Sequence, residues 1–146
     1  MRHHLILRVV TKLLVGVIML YAFYVQFHGD YSPGGGFQAG VIMAVAFILY
    51  GLVFSVEAAQ KVLPPWLVHK AVAAGLLLYA GTGVAAMVFG FGYLDYNAFN
   101  PQHPVHGQEL GILLVEGGVG ITVTAVMVTI YYAFVGRTPV ISDEEW

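Results

Sequence analysis

The chain has 146 residues, of which 59% are hydrophobic and 10% are charged, with a formal net charge of −2. A soluble domain carries about 25% charged residues, so this composition predicts one membrane domain spanning residues 1–146. The chain has no cysteine, which excludes disulfide bonds, a thiol nucleophile and cysteine-ligated zinc or iron–sulfur centres. No basic patch of the kind that binds nucleic acid is present, so no nucleic-acid partner is expected.

Four stretches reach the roughly 20 apolar residues that a helix needs to cross a bilayer. They run from Leu5 to Phe27, from Phe37 to Val56, from Leu67 or Ala71 to Phe91, and from Leu110 to Phe134. The predicted fold is therefore all-α, an integral membrane protein with four transmembrane helices.

The basic residues predict the orientation of these helices. All six lie before the first stretch or in its first half, near the connection after the second stretch, or after the fourth: Arg2, Arg8, Lys12, Lys61, Lys70 and Arg137. Because positively charged residues stay on the cytoplasmic side, both termini and the Glu57–His69 loop are predicted to be cytoplasmic. The first connection and the Gly92–Glu109 loop are predicted to face outward.

The first connection is unusually rich in glycine, and its notable residues are His28, Gly29, Asp30, Pro33, Gly34, Gly35, Gly36, Phe37 and Gly40. Pro33 fixes its own φ, whereas glycines adopt positive φ or bring bare backbone close to another surface. A plain hairpin needs only one or two such residues, so the segment predicts a structural turn or a subunit interface. His28 and Asp30 fit either a proton relay or an Asx-type turn.

Small residues at helical spacing predict where helices pack. Gly40, Ala44, Gly51 and Ser55 fall near one stripe of the second stretch, and Gly107 and Gly111 lie four apart at the start of the fourth. Such spacings let helix backbones approach closely in lipid. They are interpreted as packing faces within or between subunits.

Glu116 interrupts the fourth stretch, about 10 Å beyond Glu109 at a helical rise of 1.5 Å per residue. A bare carboxylate in a membrane is costly, so such groups are protonated, paired with a cation or wetted by a cavity. Gly120 and Thr124 follow on roughly the same face and add space and a hydroxyl. Glu116 and Thr124 are therefore candidates for an ion or proton path. An interhelical hydrogen bond that only fixes packing is the alternative.

No pattern indicates a cofactor or enzyme chemistry. His103 and His106 lie in an outer loop with a proline between them, whereas a metal site needs three or four convergent ligands. The chain has no phosphate-binding loop, no G-x-S-x-G elbow and no paired-histidine zinc helix. The sequence predicts a protein that is not an enzyme and carries no metal or cofactor.

Nearly the whole chain resembles the MnhB/MrpB-like small subunit of Mrp-type multisubunit cation/proton antiporters. The resemblance is carried by His28-Gly29, the run from Pro33 to Phe37, Gly40, and the late run from Glu116 through two glycines to Gly120. Ala39 departs from the family, which often has paired glycines at this point.

The resemblance implies a small integral membrane subunit of a complex that exchanges cytoplasmic sodium for external protons. Its partners would be the other subunits, including large antiporter subunits similar to those of respiratory complex I, and the bilayer of a prokaryotic inner (plasma) membrane. Na+ and H+ would be the transported ions. Two alternatives remain open: a homologous subunit of a membrane-bound hydrogenase-type complex, or a purely structural scaffold without ion-path residues.

Overall fold

The computed structural model describes residues 5–29 and 34–137, and every regular element in them is helical. Its α-helices are α1 (Leu5–Phe27), α2 (Gly36–Phe54), α3 (Val56–Val62), α4 (Pro65–Val88) and α5 (Pro104–Val135), and a 3-10 helix covers Tyr96–Phe99. Four of these helices, α1, α2, α4 and α5, are long and apolar enough to cross a membrane. This confirms the all-α fold with four candidate spans.

Local signals explain where the long helices differ from the predicted bounds. Ser55 has a φ of 105°, which ends α2, and its hydroxyl then accepts a hydrogen bond from the Ala58 amide to cap α3. Gly90, with a φ of +85°, follows the end of α4. Pro104 occupies the first turn of α5, where its missing N–H costs nothing. The fourth helix therefore begins six residues before the predicted Leu110, and Glu109 lies on a helix, not in a loop.

The long helices form a row in the order α1, α2, α5, α4, so that α1 and α4 lie at its edges. Helices α2 and α5 run parallel, because Gly36 at the start of α2 contacts Glu116 and Gly51 near its end contacts Tyr131. Helices α4 and α5 run antiparallel, with Gly75 packed against Gly118.

The predicted packing stripe on α2 is largely confirmed. Gly40 packs against Gly120 and Val123 of α5, and Ala44 is fully buried in the central apolar cluster. Ser55 was wrongly included in the stripe, because it is exposed and lies beyond the end of α2.

Gly107 and Gly111 are also buried, but their partner is not a long helix. Both face Tyr96 of the 3-10 helix, whose ring packs directly over Gly111. This pair therefore packs the loop between α4 and α5 onto α5.

The ends of the helices that carry the basic residues lie together. Arg8 and Lys12 of α1 stack over the ring of Phe54 at the end of α2, at 5.1 and 5.7 Å from its centre. The Tyr132 hydroxyl of α5 donates a 3.0 Å hydrogen bond to the Leu63 carbonyl, just before α4. We call this the basic end of the molecule.

At the opposite end the two helix pairs are staggered. The start of α2 is level with Glu116, which lies about 18 Å along α5 from Pro104. Helix α4 likewise continues about 20 Å past its contact at Gly75. Helices α4 and α5 therefore project well beyond the end of the α1–α2 hairpin, and we call this the projecting end.

Candidate functional site

Glu116 lies on α5 where this helix meets the end of the α1–α2 hairpin. A Cβ atom added to Gly29 would lie 2.8 Å from the Glu116 Oε2 atom, and one added to Gly35 would lie 2.6 Å from Oε1. A Cβ on Gly36 would collide with the Glu116 backbone carbonyl. Three glycines thus make room for one acidic residue, two for its carboxyl group and one for its backbone.

The three successive glycines have two different reasons to be glycine. Gly34 has a φ of +135°, in the region that side chains disfavour. Gly35 has an extended backbone with a φ of −172°, which any residue can adopt. Its lack of a side chain is required by the nearby carboxyl group, and its amide is satisfied by the Gln38 side chain at 3.2 Å.

Gln26 of α1 is a polar residue at this site that the sequence analysis missed. Its Oε1 atom would lie 2.6 Å from a Cβ on Gly120, and its buried Nε2 atom has no hydrogen-bond partner among the described residues. An amide inside the apolar run between Val25 and Phe27 was the available signal.

Thr124 joins α5 to α2. Its hydroxyl lies 3.0 Å from the Gly40 carbonyl and 2.8 Å from the Gly120 carbonyl, and its single proton is shared between these two acceptors. The Gly40 bond connects residues separated by 84 positions in the chain. In the structure this hydroxyl therefore takes part in helix packing.

A cavity of about 510 Å³ opens on one side of the helix row. Most of its lining is apolar, and residues of all four long helices contribute, including Gln26, Gly117 and Thr124. Glu116 is not one of the lining residues. The cavity and the carboxyl group are separate features of α5.

The remaining predicted residues are less tightly grouped. His28 is partly buried and stacks on Tyr24 with ring centres 5.0 Å apart, whereas the Phe37 side chain is 61% exposed. Asp30 and Pro33 lie outside the described residues.

The histidines of the outer loop lie at the projecting end. His106 pairs with Glu109 at 3.2 Å, and both side chains are exposed. Within residues 5–29 and 34–137, no three His, Asp or Glu side chains converge in a way that could hold a metal ion.

The fold and the site together define a multi-pass membrane protein with an acidic group at a contact between apolar helices, an arrangement that is usually functional in membrane proteins. Residues 6–129 match the family described as the domain related to the MnhB subunit of Na+/H+ antiporter, and the chain belongs to this family. The resemblance seen in the sequence is thereby confirmed.

Relatives of known name match over most of their length. The chain is 36% identical to the B-type Na(+)/H(+) antiporter subunit of Bacillus subtilis (strain 168) over 128 residues, which are 82% of this chain and 89% of that protein. It is 36% identical to the putative antiporter subunit mnhB2 of Staphylococcus haemolyticus (strain JCSC1435), covering 90% of this chain and 94% of that protein. For mnhB2 of Staphylococcus aureus (strain Newman) the identity is 38%, with 81% and 89% covered.

Proposed function

We propose that this chain is a small integral membrane subunit of a multisubunit Na+/H+ antiporter in a prokaryotic plasma membrane. Its membership of the MnhB family and its identity to a named antiporter subunit over most of both chains support this proposal. Its partners are the other subunits of the complex, including large complex I-like antiporter subunits, and the ions exchanged are Na+ and H+. Affinity purification from membranes under native conditions, followed by identification of the co-purified chains, tests the assignment.

Within this complex, Glu116 serves as a reversible proton or cation site. The observation that carries the proposal is the set of glycines that accommodates it: Gly29 and Gly35 approach the carboxyl group and Gly36 approaches the backbone. Simple packing of α2 on α5 needs only the contact at Gly36. The room around the carboxyl oxygens is what an exchanging group requires.

Two substitutions at Glu116 separate ion exchange from packing. Glutamine keeps the shape and hydrogen-bonding capacity of a protonated glutamate but cannot bind and release a proton, whereas aspartate still titrates on a shorter arm. We expect Glu116→Gln to assemble normally and lose most Na+/H+ exchange, and Glu116→Asp to retain part of it with a shifted pH profile. Exchange is measured against pH in everted vesicles, with complex assembly quantified in the same membranes.

Glu109→Gln is the matched control, because Glu109 lies two turns away on the same helix and is exposed. This control should exchange ions at the wild-type rate. Full exchange by an assembled Glu116→Gln complex would remove Glu116 from the ion path.

A scaffold role for the same residues is the second candidate. It is favoured by the hydroxyl of Thr124, whose proton is engaged with the carbonyls of Gly40 and Gly120. Under this role the order of effects reverses: Glu116→Gln is nearly silent and Glu116→Asp impairs assembly, because the shorter side chain no longer reaches its partner.

The orientation proposed for the complex places the basic end in the cytoplasm and the projecting end outside. The six basic residues of the sequence support this orientation through the positive-inside rule. Since the chain has no cysteine, Lys61→Cys and His103→Cys can each be labelled with an impermeant thiol reagent. In intact cells we expect labelling at position 103 alone, and labelling at position 61 would reverse the orientation.

A further inference from the structure

We propose that water reaches Glu116 from the projecting end of the molecule, over the end of the α1–α2 hairpin, and not from the basic end. This inference deepens the role proposed for Glu116, because it names the side of the membrane with which that site exchanges its proton or cation. By the orientation given above, this side is the outer one.

The stagger of the helices supplies the first argument. In the described chain α1 ends at Phe27 and α2 starts at Gly36, and both ends are level with Glu116. Helix α5 continues for about 18 Å beyond this level. Glu116 therefore lies at the end of the contact between α2 and α5, where the short hairpin stops.

The position of the carboxyl group supplies the second argument. Its two oxygens lie beside Gly29 and Gly35, which are the last described residues before and nearly the first after the connection between α1 and α2. Neither residue has a side chain that could cover the oxygens. Glu116 itself is only partly buried, so its side chain keeps some accessible surface in this chain.

Packing toward the basic end is tight along the same helix contact. Gly40 meets Gly120 one turn below, and the Thr124 hydroxyl bonds to the Gly40 carbonyl. Ala44 and Val128 follow with exposures of 0% and 1%. Water entering from the basic end would have to pass this sequence of contacts, and the neighbouring cavity offers no alternative because its walls are apolar and Glu116 does not line it.

Titratable groups are also distributed unevenly around Glu116. Glu109 lies two turns outward on the same face of α5 and is exposed, and His28 adjoins Gly29 at the hairpin end. Tyr24 of α1 stacks on His28, and Tyr79 of α4 contacts Gly118. Toward the basic end, the next titratable side chain of α5 is Tyr131, about 22 Å away.

Side-specific modification of native carboxyl groups tests the inference in the assembled complex. Right-side-out and everted vesicles are treated with a water-soluble carbodiimide and taurine, a membrane-impermeant amine, and the modified peptides are identified by mass spectrometry. Exposed Glu109 reports the projecting end and exposed Glu57 the basic end. The comparison is internal, so it holds whichever end faces the cytoplasm.

We expect Glu116 to be modified in the preparation in which Glu109 is modified, and to stay at background where only Glu57 reacts. A complex carrying Glu116→Gln must lose the modified peptide, which verifies the assignment. Modification of Glu116 together with Glu57, or from neither side, would overturn the inference. The result is independent of transport: full exchange by Glu116→Gln would refute the proposed function while leaving the accessible side established.

Discussion

Gly40→Ala is expected to separate α2 from α5. The added Cβ would lie 2.7 Å from the Gly120 carbonyl oxygen and 2.9 Å from the Val123 Cβ, whereas ordinary van der Waals contact begins at 3.4 Å. Helix α2 would have to move by about 0.7 Å, and overpacking of this kind costs about 1–3 kcal/mol. The shift would also stretch the 3.0 Å bond from Thr124 to the Gly40 carbonyl, and such bonds contribute about 0.6 kcal/mol in membranes.

The assay is the thermal unfolding midpoint of the detergent-purified complex, together with the amount of complex recovered. Gly117→Ala is the matched control, because it makes the same change on α5 where no atom lies within 4 Å of the new Cβ. Alanine is the better helix former by up to about 1 kcal/mol, so the control should be neutral or stabilising. Equal midpoints for the two variants and the unmodified chain would refute the close packing of α2 on α5.

Three further changes distinguish the parts of the turn and the short helix α3. Gly35→Ala displaces only the flexible Glu116 carboxyl group, so we expect reduced or pH-shifted ion exchange in a complex that still assembles. Gly36→Ala meets the backbone of the same residue and should reduce assembly first, as judged by native electrophoresis; the opposite order would contradict the geometry. A hydrogen bond from Ser55 and one from its own backbone lower the pKa of Glu57, so this interaction stabilises the fold at neutral pH and is lost as pH falls through the lowered pKa. Ser55→Ala should raise that pKa toward 4.5 in a carbon-13 NMR titration, and an unchanged pKa would exclude the hydroxyl as its cause.

Much of the fold could be predicted because its signals are local. Helix α1 has the predicted bounds, and the other spans differ by a few residues at positions where a single residue changes the backbone, such as Ser55, Gly90 and Pro104. The apolar length of each stretch reports a spanning helix whatever it packs against.

The candidate site could be predicted only in part. Glu116 and the triglycine run were both recognised, but as two separate features of the chain, and their roles stay predictions. The sequence could not show that Gly35 is required by the Glu116 carboxyl group, since its own backbone is ordinary. The unpartnered amide of Gln26 was missed for the same reason: its neighbour Gly120 is far away in the sequence.

By itself, the sequence determined the membrane class, the number of spans, the family and the acidic residue of interest, because composition and motifs are properties of the chain. The tertiary structure alone decided that α2 and α5 run in parallel register, that the hairpin stops level with Glu116, and that Thr124 bonds to the Gly40 carbonyl. The physical reason is that helix register depends on shape complementarity between small residues distant in the chain. A glycine in the sequence shows that space is available, and only the packed helices show which group occupies it.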